Sequence, residues 1–303
     1  PPQKLGETLT PIRKKFGRSA VASFAAIALA LGLSACAPAE EAAVEEAETT
    51  AASEEVTEDV LETLTPGKLT IGTGLPAYYP WVLDDTPESG EGFESAVAYA
   101  VAAELGFAPE DVVWVRTTFE EAIQPGPKSF DFNLQQYSIT EERKASVDFS
   151  SPYYYTAQTV ITVAGSAAEN VADLADLKDL LVGAQTGTTS LKAIEEIIQP
   201  NGGAQVFNSN DDAKAALANG QVDAIVVDLP TAFYLTAVEL DGGIILGQLD
   251  GAEAGDSFGL VLDKDSPLTE AVTAAVDALR DSGKLAEIEQ EWLADYVGAP
   301  VLK

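Results

Sequence analysis

Five polar residues in this chain have types and positions that suggest chemistry. Arg143 ends the run Ser138-Ile139-Thr140-Glu141-Glu142-Arg143. Its planar guanidinium can hold a carboxylate through two parallel hydrogen bonds, and Ser138 with the nearby backbone adds donors. Thr188 and Thr189 precede a helix, whose free N–H groups and positive end favour an anion. Asp228 closes a β-branched strand. Tyr78 and Trp81 sit in an aromatic loop and could cover a ligand by stacking or cation–π contact. Each has a plainer reading. Arg143 pairs with Glu141 or Glu142 on a solvated helix. Thr189 or Ser190 caps a helix, and Asp228 caps another with Pro230 just inside it. The aromatics pack as a lid on the core.

The elements around Arg143 must position it. Phe130, Phe132 and Leu134 alternate with polar neighbours and predict a short strand. Gln135, Gln136, Tyr137 and Ser138 end it. Ser138 and Glu141 have capping-box spacing, so a short helix is expected there. Pro152, among tyrosines, stops any regular element. Upstream, Leu69–Gly74 reads as a buried strand, a helix opens at Gly92-Phe93, and Val112–Arg116 reads as a second strand. Downstream, Gln158–Val163, Leu181–Gln185, Gln205–Phe207, Val222–Val227 and Phe258–Leu262 read as strands, with helices between them, including Val171–Leu180. Two helices, Pro267–Ser282 and Leu285–Tyr296, follow. Such alternation predicts an α/β layered fold.

Length and charge bound the function. The chain has 303 residues, enough for one large or two medium domains. It carries 17 Lys+Arg against 49 Asp+Glu, a formal net charge of −32, which argues against nucleic acid and anionic lipid as ligands. One cysteine leaves no internal disulfide or Cys-cluster metal site, and the absence of histidine removes Ser-His-Asp and zinc-His chemistry. No EF-hand spacing appears, and no cofactor is expected.

Residues 1–35 read as a targeting segment. Arg13, Lys14, Lys15 and Arg18 precede the small and apolar stretch Ala20–Leu33, which is too short for a spanning helix. It ends in Leu33-Ser34-Ala35-Cys36, which resembles the bacterial lipobox and implies lipidation of Cys36. Residues 37–66 hold ten acidic residues and no Lys or Arg. They read as a disordered tether over 36–66 with a reach of about 30 Å, and some helix over Glu54–Leu64 is compatible with the composition.

The Arg143 segment, followed by Val147-Asp148-Phe149-Ser150-Ser151-Pro152-Tyr153, resembles the signature of the extracytoplasmic solute-binding proteins that serve ABC importers of polar amino acids. Further matches are Gly92-Phe93, Gly187-Thr188-Thr189, Val222-Asp223-Ala224 with Asp228, and Gly283 followed by Trp292. The resemblance spans about Gly67 to Tyr296. It implies a two-lobed, periplasmic-binding-protein-like type II fold, each lobe a mixed sheet flanked by helices. Lobe 1 would be 67–156 and 258–303, and lobe 2 would be 157–257. It implies that Arg143 and a threonine of the Thr188-Thr189 pair take a ligand carboxylate and that Asp228 takes an ammonium; Ser138 is read as a further donor, and Tyr78, Trp81 and Gln136 as bordering the ligand. The expected partners are an amino acid, a permease and, through a lipid anchor, the outer face of the cell membrane, with the chain itself a monomer. Gln135 and Gln136 stand where many members have small or hydroxyl residues, and Ala96 replaces an acidic one. The competing readings are a prephenate or arogenate dehydratase and a ligand-sensing receptor.

Overall fold

In the computed structural model, which describes residues 61–250, 256–294, 296 and 298–303, Leu69–Gly74 forms β1, buried along its whole length. Leu69 and Ile71 fill the core on one side, and small threonines and glycines let the other residues be covered as well. It pairs in parallel with β2 (Val112–Thr117) and β3 (Phe132–Asn133). Between β1 and β2 runs α1 (Phe93–Glu104). Its entry depends on Gly92, with φ 101°, where a Cβ would meet the Trp81 carbonyl at 2.6 Å. Helices α2 (Phe119–Ile123) and α3 (Glu141–Lys144) follow β2 and β3, and β4 (Val147–Phe149) comes next.

At β5 (Tyr154–Thr156) the chain leaves this sheet for a second. There lie β6 (Gln158–Val163), β7 (Val182–Gln185), β8 (Gln205–Phe207), β9 (Ala224–Asp228) and β10 (Gly243–Leu249). Helices α4 (Thr189–Ala193), α5 (Asn210–Ala218) and α6 (Leu229–Tyr234) each follow a strand of this sheet. The chain returns through β11 (Asp256–Phe258), antiparallel to β5, and β12 (Val261–Asp263) inserts between β3 and β4. Helices α7 (Thr269–Asp281) and α8 (Lys284–Trp292) pack beside α1. The chain then crosses once more to place β13 (Val301–Leu302) alongside β10. The strand orders are β2-β1-β3-β12-β4 and β13-β10-β6-β9-β7-β8.

Alternation along the strands builds the cores. On the second sheet Val160 and Val226 face one cluster with Ile194, while Ile161, Ile225 and Val227 face another with Leu217. The first sheet buries Phe93, Phe132, Phe258 and Val276 together. Each such side chain contributes about 1.5–3 kcal/mol by leaving water.

Some expected bounds shift. The first lobe was expected to hold 258–303, yet β13 belongs to the second sheet. Gln248 N donates to Pro300 O at 2.7 Å and Leu302 is buried, which anchors the last residues there. The tether was expected to run to 66, yet Leu61 packs on the first core and Leu64 N donates to Asp131 Oδ1 at 2.8 Å. The helix expected over Val171–Leu180 is a 3-10 helix, Leu174–Asp179. Asp176 turns back to accept from the amides of Ala172 and Asp173, which tightens its start. The strand expected at Phe130–Leu134 narrows to Phe132–Asn133, and the last helix stops at Trp292. The targeting segment, Cys36 and the tether through residue 60 lie outside the described residues, as does that part of the Glu54–Leu64 helix. Residues 61–64 are not helical. Among the described residues, no helix is long and apolar enough to cross a membrane.

Candidate functional site

Strand ends converge on the cleft between the two sheets. Gly74 ends β1, Gln135 lies just past β3, Gln185 ends β7 and Asp228 ends β9, and all four line it. The carboxyl edges of α/β sheets commonly form such sites, because the turn into the next helix leaves space and free backbone groups there. The cavity volume of the cleft is about 60 Å³.

Arg143 comes from the first lobe. Helix α3 is capped by Thr140, whose hydroxyl accepts from Arg143 N at 3.2 Å, and not by Ser138 as the spacing suggested. Ser138 is instead tied in a bridge to Phe258. The Arg143 side chain is buried. Nη1 donates to Ser138 O at 2.7 Å, Nη2 donates to Gly187 O at 2.9 Å, and the group lies 5.4 Å over the Phe119 ring. Neither Glu141 nor Glu142 pairs with it; Glu141 holds Lys144 at 2.7 Å. Among the described residues, no carboxylate makes a salt bridge with it. Burial lowers its pKa, opposed by the charges of Tyr137, Asp256 and Asp228, but guanidinium basicity is high enough to keep it a cation.

Thr188 and Thr189 come from the second lobe and divide their work. Thr188 caps α4, accepting from Leu191 N at 3.1 Å and donating to Gln185 O at 2.7 Å. The Thr189 hydroxyl takes no part in the cap; it lines the cleft, where it stands 3.2 Å from Ser138 Oγ, accepts from Gln158 Nε2 at 3.3 Å and donates to Asp256 Oδ2 at 2.7 Å.

Asp228 makes no capping bond, although it occupies the cap position of α6 with Pro230 just inside. Its Oδ1 accepts from Gln158 Nε2 at 3.0 Å, and the same amide reaches Asp256. Burial, with repulsion from Asp256, pushes the Asp228 carboxyl up to about 8. A cation placed beside it would relieve both effects.

Tyr78 lines the cleft, and its hydroxyl donates across to Asp211 Oδ2 at 2.5 Å. That bond and burial raise its pKa, and the bonds from Tyr78 and Lys214 lower that of Asp211 against its own burial. Trp81 is not on the cleft wall. It is 1% exposed, edge-on to Phe93, Tyr154 and Phe258, and only its Nε1 reaches across, to Thr231 Oγ1 at 3.0 Å. Its large apolar ring is worth more in the first core than against a ligand. Gln136 does line the cleft, in a left-handed conformation with φ 51°.

Three polar residues escaped the sequence reading. Glu94 follows the Gly92-Phe93 turn and is buried beneath Gln136, accepting from its amide N at 2.8 Å, from its side-chain Nε2, and from Tyr153 OH at 2.5 Å. Burial raises its pKa to about 7 against those bonds. Gln158 opens β6 just past the crossing at β5, Asp256 opens β11, and no local motif marks either.

Residues 69–295 match the bacterial extracellular solute-binding proteins, family 3. The chain belongs to that family. The L-arginine-binding protein of Pseudomonas aeruginosa is 31% identical over 230 residues, which are 73% of this chain and 86% of that protein. An ABC transporter glutamine-binding protein of Bacillus subtilis is 28% identical over 216 residues, 69% of this chain and 76% of that one. A solved ancestral arginine-binding protein bound to arginine superposes with a TM-score of 0.62 at 29% identity, covering 75% of this chain and 98% of its own. The two sheets, crossed at β5 and β11, form the type II periplasmic-binding-protein-like fold of these relatives.

Proposed function

We propose that the chain captures a free amino acid between its lobes and delivers it to the permease of an ABC importer, held at the outer face of the cell membrane by lipid on Cys36. The observation that carries this reading is the buried, carboxylate-free guanidinium of Arg143 facing a cleft whose opposite wall carries Asp228. A free amino acid supplies the complementary carboxylate and ammonium. Arg143, Ser138 and the Thr188-Thr189 turn take the carboxylate. Asp228 takes the ammonium, with Asp256 adding negative charge through the shared Gln158. Gln136 and Tyr78 border the side chain.

Because the clamp draws on both lobes, the ligand favours the shut arrangement and so shifts the population toward it. An affinity near 1 μM, about −8 kcal/mol, is within reach of two charge-assisted anchors. The chain acts as a monomeric binder and not as an enzyme. A dehydratase acting on prephenate or arogenate would need a second cation for the extra carboxylate, and among the described residues lining the cleft Arg143 is the one cation. Titration calorimetry against the amino acids, with Arg143→Ala as the control, tests the reading. Undiminished binding by that variant would remove the carboxylate anchor.

A further inference from the structure

Among the described residues, Arg143 and Asp228 are the only charged side chains that line the cleft, and both belong to the clamp just described. Much of the remaining wall is made of amides. Gln185 and Asn210 are joined, Asn210 N donating to Gln185 Oε1 at 3.1 Å. Gln135 lies against Gly74, where an added Cβ would meet its Nε2 at 2.7 Å, and its Oε1 accepts from Tyr137 OH at 3.0 Å. These contacts use the oxygen ends of both glutamines. Their NH₂ groups, and the whole side-chain amide of Asn210, have no partner among the described residues.

Two charged groups that flank this wall, Asp211 and Arg116, are already engaged. Asp211 holds Tyr78 and is paired with Lys214 at 2.9 Å. Arg116 reaches the Gly74 carbonyl but is paired with Asp85 at 2.7 Å. Neither offers a free counter-charge to a ligand side chain.

We propose that this wall selects an amino acid whose side chain is an uncharged carboxamide, glutamine or asparagine, over basic and acidic amino acids. The inference rests on the amino-acid reading above and adds its side-chain class. A carboxamide carries one acceptor oxygen and two donors. The free NH₂ groups of Gln135 and Gln185 meet its oxygen, and the Asn210 oxygen meets its NH₂. An ammonium, guanidinium or carboxylate in the same place would lose water without gaining an opposite charge. An apolar side chain would strand the wall's own amides, which is how polar pockets reject apolar analogues.

The test is titration calorimetry on the purified full chain after exhaustive dialysis, with glutamine, asparagine, alanine, arginine, lysine and glutamate as separate ligands. Glutamine or asparagine is expected to bind at least about 100-fold more tightly than arginine, lysine or glutamate, the ratio for a buried charge left without a partner, and their order distinguishes the two carboxamides. In Gln135→Leu the preference for the carboxamide over alanine should shrink by about tenfold, the loss of one hydrogen bond. Asn210→Asp, at the first turn of α5 where an acid is tolerated, should raise lysine and arginine affinity by about tenfold or more. Arginine, lysine or glutamate binding as tightly as the carboxamides would overturn the inference and leave the amino-acid reading standing. No binding by any of the six, or full binding by Arg143→Ala, would overturn both.

Discussion

The guanidinium of Arg143 donates to the carbonyl of Gly187 at 2.9 Å, 44 residues along the chain and on the other lobe. A side chain fixed in the first sheet therefore touches the turn that presents Thr188 and Thr189. One edge of Arg143 is used to hold Ser138 O and Gly187 O, and the group remains without a carboxylate partner among the described residues. The same contact brings the parts of the proposed anion site together.

Arg143→Ala is expected to weaken amino-acid binding by about 100-fold or more, since a charge-assisted pair contributes about 3 kcal/mol when one partner is removed. Arg143→Lys should recover only part of this, because an ammonium lacks the planar fork. Calorimetric dissociation constants for the three chains check both statements. Equal affinities would remove Arg143 from the site.

Asp228 links binding to pH. An unfolded aspartate titrates near 4, whereas the folded one is pushed up to about 8. The folded chain thus keeps a proton that the unfolded chain loses across this window. Its contribution to stability is complete below about pH 4 and is lost as the pH rises toward 8, by at most about 1.4 kcal/mol per unit. In the ligand-free chain, Asp228→Asn should flatten that decline, as read from denaturation midpoints at several pH values. Binding an ammonium needs the carboxylate ionised, so at about pH 6.5 ligand uptake should expel about one proton. Calorimetry in buffers of different ionisation heat measures this, and the release should vanish in Asp228→Asn.

Glu94 supports the cleft from beneath. Glu94→Ala leaves the Tyr153 hydroxyl and two Gln136 donors without their acceptor. The expected cost is about 2–4 kcal/mol, or roughly a 5–15 °C fall in Tm for a chain of this size. Glu94→Gln should cost less, because it keeps one acceptor. A thermal melt unchanged by Glu94→Ala would show that this network carries no stability.

Trp81 separates packing from recognition. Trp81→Ala empties a site filled against Phe93, Tyr154 and Phe258 and should destabilise the fold by about 3–5 kcal/mol. Trp81→Phe keeps most of the packing and should bind ligand within about threefold of the unaltered chain, as expected when the substituted group does not meet the ligand. Strongly weakened binding by Trp81→Phe at an unchanged melting temperature would return the residue to the binding surface.

The sequence marked Arg143, Thr188, Thr189 and Asp228, which line the cleft, better than their surroundings. Arg143 and the Thr188-Thr189 pair were found because a motif surrounds each, and Asp228 because a strand ends on it. Local spacing misled at Ser138, where Thr140 competed successfully for the helix cap, and at Trp81, where aromatic packing outweighed an exposed-loop reading. Glu94, Gln158 and Asp256 were invisible for a different reason. Their partners lie 31 to 98 residues away, so only the assembled sheets bring them together. Strand β13 was missed because two residues carry no periodicity, and its pairing depends wholly on a neighbour formed earlier in the chain.

The short β13 has a practical consequence. Leu61 rests on the first lobe, while Lys303 is pinned to the second through its carbonyl and Leu174 N at 3.0 Å. Dyes attached beside these two residues would ride on different halves of the molecule. Energy transfer between them would turn ligand capture into an optical signal, with no label near the pocket.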